Sequence, residues 1–477
     1  VNDYGGWISV MVALPLVAAT LCFLIGGRRV AWIANLTAPV LVVGAAVLAD
    51  AVGQGEVVRH APGGWGAPLG IEWRLDGAGA LMMVVTALVG WAVSLFAPGY
   101  ETHGDLERAP GRFWPPFLML WAGLNALYLA ADVFNLFVCL ELIAMAAVVL
   151  VALEGKEAAV TAAMRYLLLA QVGSLCYLIG VGFLYGFGTL DLAQLGAAVQ
   201  EGTPAGLALA LMTAGLIAKA ALFPMHVWLP PAHSAAPSHA SALLSGLVIA
   251  ASVLVLLRLW DAVFGVVSGE AVRQFVGAIG AVSVLWGSVA ALRQDRLKPL
   301  LAYSTVAQTG YLLLLIPLAG TVGAWSGGVL LLAAHAVAKA AMFLAAGLIL
   351  EALGTDRLSS IHGAVRRMPL TVFALGIGGL TLMGLPPSGG FLAKWLLLGA
   401  ALAGGQWWWA VVLVLGGLLA AGYVFAILAP AFRDASDTPF TPVSPWMQGV
   451  PLVLATVSLL MGLAGGPMAR LLEVGTP

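Results

Sequence analysis

Apolar runs of about twenty residues follow one another along nearly the whole chain, separated by short polar or basic turns. A helix of that length crosses about 30 Å of hydrocarbon, and in lipid only helices or a closed barrel satisfy every backbone N–H and C=O. The pattern predicts an all-α polytopic membrane protein with about fourteen transmembrane helices. Their approximate spans are 7–26, 30–52, 77–97, 112–131, 132–153, 163–187, 205–229, 239–259, 273–292, 299–319, 324–350, 370–398, 405–430 and 447–465. Two spans are broken, the seventh at Pro224 and the twelfth at Pro386-Pro387-Ser388-Gly389-Gly390. Proline lacks an N–H and crowds the carbonyl four residues back, so Pro224 is expected to free the carbonyl of Ala220, beside Lys219. Loops are short apart from 53–76, which contains GGWGAPLGIEW, and the turns at 98–111 and 351–369. Residues 1–477 therefore read as one transmembrane bundle.

Composition agrees with the pattern. Hydrophobic residues make up 61% of the chain and charged residues 9%, with a mean hydropathy of +1.01, whereas soluble domains carry roughly 25% charged residues. A net charge of −1 leaves no concentrated basic surface of the kind nucleic acid requires. Cys22, Cys139 and Cys176 fall inside apolar runs without the paired spacing of metal or cluster ligation, so no disulfide, metal or cofactor is expected. The first apolar run ends at Gly26-Gly27-Arg28-Arg29 without a small-residue cleavage site and reads as a retained helix. Arg28, Arg29, Arg108, Arg112, Lys156, Arg165, Arg293, Arg296, Lys298, Arg357, Arg366, Arg367 and Arg433 fall on one side of this topology, and only Arg59, Arg74, Arg258, Arg273 and Arg470 on the other. The positive-inside bias then puts both termini outside a cytoplasmic (inner) membrane.

Against this background the ionisable residues inside apolar runs stand out, because a charge at bilayer depth costs about 2.5–3.5 kcal/mol on insertion scales and marks a pathway by default. Glu141 sits mid-helix in DVFNLFVCLELIAMAAVVLV, with Asp132 as the expected N-cap. Lys219 precedes the seventh-helix break, where the negative end of a half-helix favours a cation, and an ion pair with Glu141 is expected. His335 and Lys339 are four apart and share a helix face, a spacing that can pass a proton. Lys394 follows the twelfth-helix break, where the positive end of a new helix opposes its charge; it is the expected gate. Ser304, Thr305, Gln308 and Thr309 give the tenth helix a polar side suited to ordered water, or simply to helix packing. His226, His233 and His239 lack a zinc spacing and read as cap and entrance residues. No phosphate loop, dinucleotide fingerprint, haem motif or nucleophile elbow occurs. The chain thus reads as a proton route rather than an enzyme. The plainer alternative is a hydrogen bond to a neighbouring helix for Glu141 and His335, and snorkelling to an interface for Lys394.

HVWLPPAHSAAPSHASALL after Lys219 and Phe223-Pro224, DVFNLFVCLEL around Glu141, RLKPLLAYSTVAQTGY, HAVAKAAMFLAAG and GLPPSGGFLAKWLLL together resemble the antiporter-like subunits shared by respiratory complex I, membrane-bound hydrogenases and Mrp-type monovalent cation/proton antiporters. The GGWGAPLGIEW loop looks most like the D-type Mrp subunit. The resemblance implies two inverted five-helix repeats, helices four to eight (111–260) and nine to thirteen (272–431). Three N-terminal helices (1–110) and one C-terminal helix (446–477) flank them. It assigns proton transfer to Glu141, Lys219, His335, Lys339 and Lys394; Pro224, His226, His239, Ser245, Ser304 and Gln308 are read from their positions as supporting the path. In one respect the chain departs from the family. Where many relatives carry a lysine or histidine in helix eight, this chain has Ala250 and Ala251, so the two halves must connect through water, Ser245, Ser252 or another helix, or not at all.

The implied function is that of a proton-translocating subunit of a multisubunit membrane complex, foremost Mrp-type sodium/proton antiport, with other membrane subunits, lipid, protons and Na+ as partners. The alternatives are a subunit of a redox-driven pump, a subunit for inorganic-carbon uptake, and a structural subunit that has lost conduction.

Overall fold

The computed structural model describes residues 4–67, 70–100, 111–434 and 439–475; Arg108, part of the 98–111 turn, and Pro68 and Leu69 of the early loop lie outside them. Among the described residues, ten helices are long and apolar enough to cross a membrane. The pair Pro445–Leu460 and Gly465–Glu473, bent by 74°, adds an eleventh if it forms one span. Of the other three expected spans, the fourth is the 16-residue helix Trp114–Leu129, and the seventh and twelfth are represented by three shorter apolar helices beside the two breaks, Thr203–Lys219, Pro369–Met383 and Gly389–Ala403. At 1.5 Å per residue, 15 to 17 residues reach only about 25 Å.

Burial grades from the rim inward. Gly5–Ile25 and Trp407–Ala431 bury about a third of their most apolar stretch, while that of Ser238–Val267 and that of Ala324–Leu353 are buried throughout. These two central helices carry Ser245, Ser252, His335 and Lys339, so the fold places the polar residues on its most protected elements. The exposed rim is apolar: Phe134, Val138, Leu168, Val172, Phe275 and Trp395 all face outward, as lipid or a membrane partner requires.

Small residues allow the helices to close up. A Cβ on Gly173 would lie 2.7 Å from the Gly215 carbonyl, and one on Gly215 would lie 2.3 Å from that of Gly173. The helix Glu157–Tyr185 is therefore in near backbone contact with Thr203–Lys219. The early loop is more ordered than its composition suggests. Val58–His60 and Trp73–Leu75 form an antiparallel hairpin with Arg59 opposite Arg74.

Candidate functional site

Glu141 projects from Val133–Val151, a helix capped by Asp132, whose Oδ1 accepts from the Phe134 and Asn135 N–H groups at 2.8 Å. Burial pushes the Asp132 carboxyl up from its ordinary range, against the lowering effect of those two bonds. The Glu141 carboxylate accepts from Lys219 Nζ at 3.0 Å, from Gln171 Nε2 at 2.9 Å and from the Ser174 hydroxyl. The lysine side chain is 4% exposed and the glutamate 21%. A buried charge needs this kind of saturation, since its desolvation is repaid only by good pairing and further hydrogen bonds. Gln171 and Ser174 stand three apart in MRYLLLAQVGSLCYLIG. As polar residues in an apolar run they carried the signal that sequence reasoning overlooked.

The break beside Lys219 departs from expectation. Its helix ends at Lys219, before Pro224 can act on it. Leu222 N–H bonds back to the Ile217 carbonyl at 3.1 Å across Ala221, whose φ of 50° lies in the left-handed region. The cause is upstream of the proline ring: proline cannot continue a helix, and the residue before it disfavours helical backbone, so the chain unwinds a turn earlier. Trp228 Nε1 takes up the Ala218 carbonyl at 3.0 Å.

Lys339 turns away from His335 and toward the helix Leu297–Leu313. Its Nζ donates to the Leu301 carbonyl and to Ser304 Oγ, each at 2.5 Å. His335 lies against the Ser245 backbone, yet neither ring nitrogen completes a hydrogen bond. Sharing a face set the two residues near each other; the carbonyl and hydroxyl across the interface decided where the ammonium went.

Lys394 has partners that the sequence reading did not foresee: its Nζ reaches back over the break to the Leu382 carbonyl at 2.7 Å and lies over the Tyr311 ring, 4.4 Å from its centre. Gln308 Nε2 donates to the same carbonyl at 3.1 Å and to Tyr423 Oη at 2.9 Å. Tyr311 and Tyr423 were not foreseen. A lone tyrosine in an apolar helix gives little sequence signal.

Two links connect these groups. Ser304 and Gln308, four apart on one helix, join the Lys339 cluster to the Lys394 cluster. Toward Lys219 the connection is thinner. Lys219, Tyr166 and Ser252 line a cavity of about 10 Å³, room for about one water, and Ser245 Oγ meets Thr305 Oγ1 at 2.7 Å. Ser245 and Ser252 are about 10 Å apart along the helix, with buried Val248, Ala250 and Ala251 between them.

The three histidines do not converge. His226 accepts from Trp286 Nε1 at 3.2 Å, His233 stacks on Phe343 at 4.6 Å, and His239 is held between Tyr100 and Phe113. None caps a helix. Lys298, expected in a loop, is buried at 4% exposure. Among the described residues, no group of three or more His, Cys, Asp or Glu side chains is placed to hold a metal ion.

Residues 130–420 match the family described as NADH:quinone oxidoreductase/Mrp antiporter, transmembrane. The N-type NADH-quinone oxidoreductase subunit of Desulforudis audaxviator is 35% identical over 84% of this chain and 80% of its own length. The D-type Na(+)/H(+) antiporter subunit of Alkalihalophilus pseudofirmus is 28% identical over 85% and 83%. The structure of the Mrp complex from Dietzia sp. contains a chain that superposes with a TM-score of 0.89 at 25% identity, covering 100% of this chain and 99% of that one.

Proposed function

The chain belongs to the NADH:quinone oxidoreductase/Mrp antiporter family of membrane subunits, and from that premise we propose that it carries protons through a multisubunit complex along Glu141, Lys219, Lys339 and Lys394, with His335 beside Lys339. The observation that supports this most directly is the saturated ion pair of Lys219 with Glu141, followed by two further buried lysines held only by neutral groups. A lysine bonded to carbonyls and hydroxyls can lose its proton without leaving a counter-charge stranded. The coupled reaction in this reading is Mrp-type exchange of protons for a monovalent cation such as Na+. The greater identity to an NADH-quinone oxidoreductase subunit, 35% against 28%, favours a redox-driven pump as the second reading.

The proposed architecture has fourteen spans, with residues 111–260 and 272–431 as two inverted repeats and each broken helix counted as one span. The matching backbone at the two breaks supports it. The proposed placement is the cytoplasmic membrane with both termini outside.

The test is proton flux in proteoliposomes containing the intact complex. Glu141→Gln and Lys219→Ala are each expected to abolish it, and the double variant to be no worse than either. Wild-type flux in either single variant refutes the proposed route. Dependence of flux on a Na+ gradient, as against a quinone reductant, separates the two readings.

A further inference from the structure

The proposed route leaves one buried lysine unused. Lys298 is in the first turn of Leu297–Leu313, and its Nζ donates to the Ala236 carbonyl at 2.5 Å. Among the described residues it has no carboxylate within ion-pair distance. Capping a carbonyl explains one of its three donors, and a neutral amide of comparable reach, such as glutamine, would do that without burying a charge.

Its surroundings are graded. On the outer side, Asp356 bonds the Lys298 backbone N–H at 3.4 Å and pairs with the exposed Arg296 at 3.8 Å. Glu154 and Lys156, themselves paired at 2.8 Å, also act on it electrostatically. On the inner side are His233 and His239, fully buried, both within range of its charge. Neither ring nitrogen of either has a hydrogen-bond partner. His233 also feels Lys339, and the two share the Phe343 ring, His233 stacked at 4.6 Å and Lys339 Nζ at 5.6 Å from its centre. The Leu301 carbonyl that holds Lys339 is one turn beyond Lys298 on the same helix.

We propose that Lys298, whose Nζ bonds the carbonyl of the residue that ends the helix carrying His233, is a second proton-loading residue, which feeds Lys339 through His233 and is itself loaded from the side of Asp356 and Glu154. An N–H bond breaks at the Lys298 ammonium as one forms at a ring nitrogen of neutral His233. The imidazolium then gives its other proton to the neutral Lys339 amine, and the Lys298 amine takes a proton from water on the Asp356 side. Charge and protons balance at each step, and no other reactant is needed. This inference rests on the proton-transport reading and adds an inlet that bypasses the thin Ser252–Ser245 link.

The experiment is proton flux by the intact complex in proteoliposomes, with assembly followed by native gel. Lys298→Gln keeps a donor for Ala236 and is expected to assemble while flux falls by about a hundredfold, the lower end of what a lost proton-transfer group costs. Lys298→Arg keeps both charge and donor but cannot deprotonate, so it should also fail to conduct. Restoration of flux by arginine would show a positional cation and overturn the proposal. His233→Phe removes no hydrogen bond and should fold; unchanged flux there overturns the relay even if the Lys298 variants do not assemble. Glu141→Gln is the control. If it abolishes flux while Lys298→Gln leaves it intact, this inference alone fails, whereas no flux in the wild-type complex removes the reading beneath it.

Discussion

The two broken helices share a backbone and differ in wiring. At the first, Leu222 N–H closes on the Ile217 carbonyl; at the second, Leu385 N–H closes on that of Leu380, both at 3.1 Å. Each closure spans a left-handed residue, Ala221 at φ 50° and Gly384 at φ 81°, and a cis X-Pro bond comes next at Phe223–Pro224 and Pro386–Pro387. In register, Lys219 falls where Leu382 stands. The first lysine therefore stands before its turn and leaves the segment to meet a carboxylate on another helix. The second arrives from beyond its turn and bonds the carbonyl at the position the first lysine occupies. The left-handed residue shows the consequence. A Cβ on Gly384 would lie 2.8 Å from Lys394 Cδ, so the lysine crosses directly over it, while no lysine crosses Ala221 and its methyl is tolerated. One unwound turn thus serves as a launching point in one half and as a docking point in the other.

The comparison breaks first on the lysines themselves. Lys219→Ala strands Glu141 and should cost about 3–5 kcal/mol, the range for removing one partner of a buried pair. Lys394→Ala leaves the Leu382 carbonyl still bonded to Gln308 and should cost about 1.5–3 kcal/mol, a hydrogen bond to a charged group. Thermal denaturation of the purified complex checks this, and equal shifts would mean that the two anchors are not different in kind.

The turn residues sharpen it next. Gly384→Ala should cost about 1–2 kcal/mol for the left-handed backbone and lower transport by displacing Lys394. Ala221→Gly relieves the same strain and should be no worse than neutral in both measurements. Loss of transport in the Ala221 variant, or normal transport in the Gly384 variant, contradicts the crossing.

The smallest effect is at the shared carbonyl. Gln308→Leu should cost about 1 kcal/mol, because Tyr423 loses its partner. Adding Tyr423→Phe should recover part of that, since removing both partners is cheaper than stranding one. Additive losses in the double variant would show that the two side chains do not act together.

How much of this was legible depends on the range over which each feature is set. The spans could be read because hydropathy is local and a bilayer demands it along the whole of every crossing. Glu141, Lys219, Lys339 and Lys394 could be named because a charge in an apolar run is costly wherever it points. Lys298 could not, since a lysine before proline at a helix start looks like any solvated turn until Ala236 closes over it. The position of the first break was also hidden: Pro224 announces that the helix stops, but the turn at Ala221 is set by the closure onto Ile217.

The sequence by itself determined that this is a membrane bundle with ionisable groups at its centre, and it named Glu141, Lys219, Lys339 and Lys394 among them but not Lys298. The pairing of Lys219 with Glu141, 78 positions away, was expected because each is otherwise an uncompensated buried charge; tertiary structure alone decided what the other two amines hold, the Leu301 carbonyl and a serine for Lys339 and the Leu382 carbonyl across a break for Lys394. The reason is that every residue carries a carbonyl. Only the fold decides which ones a helix has released and which side chain is near enough to take them.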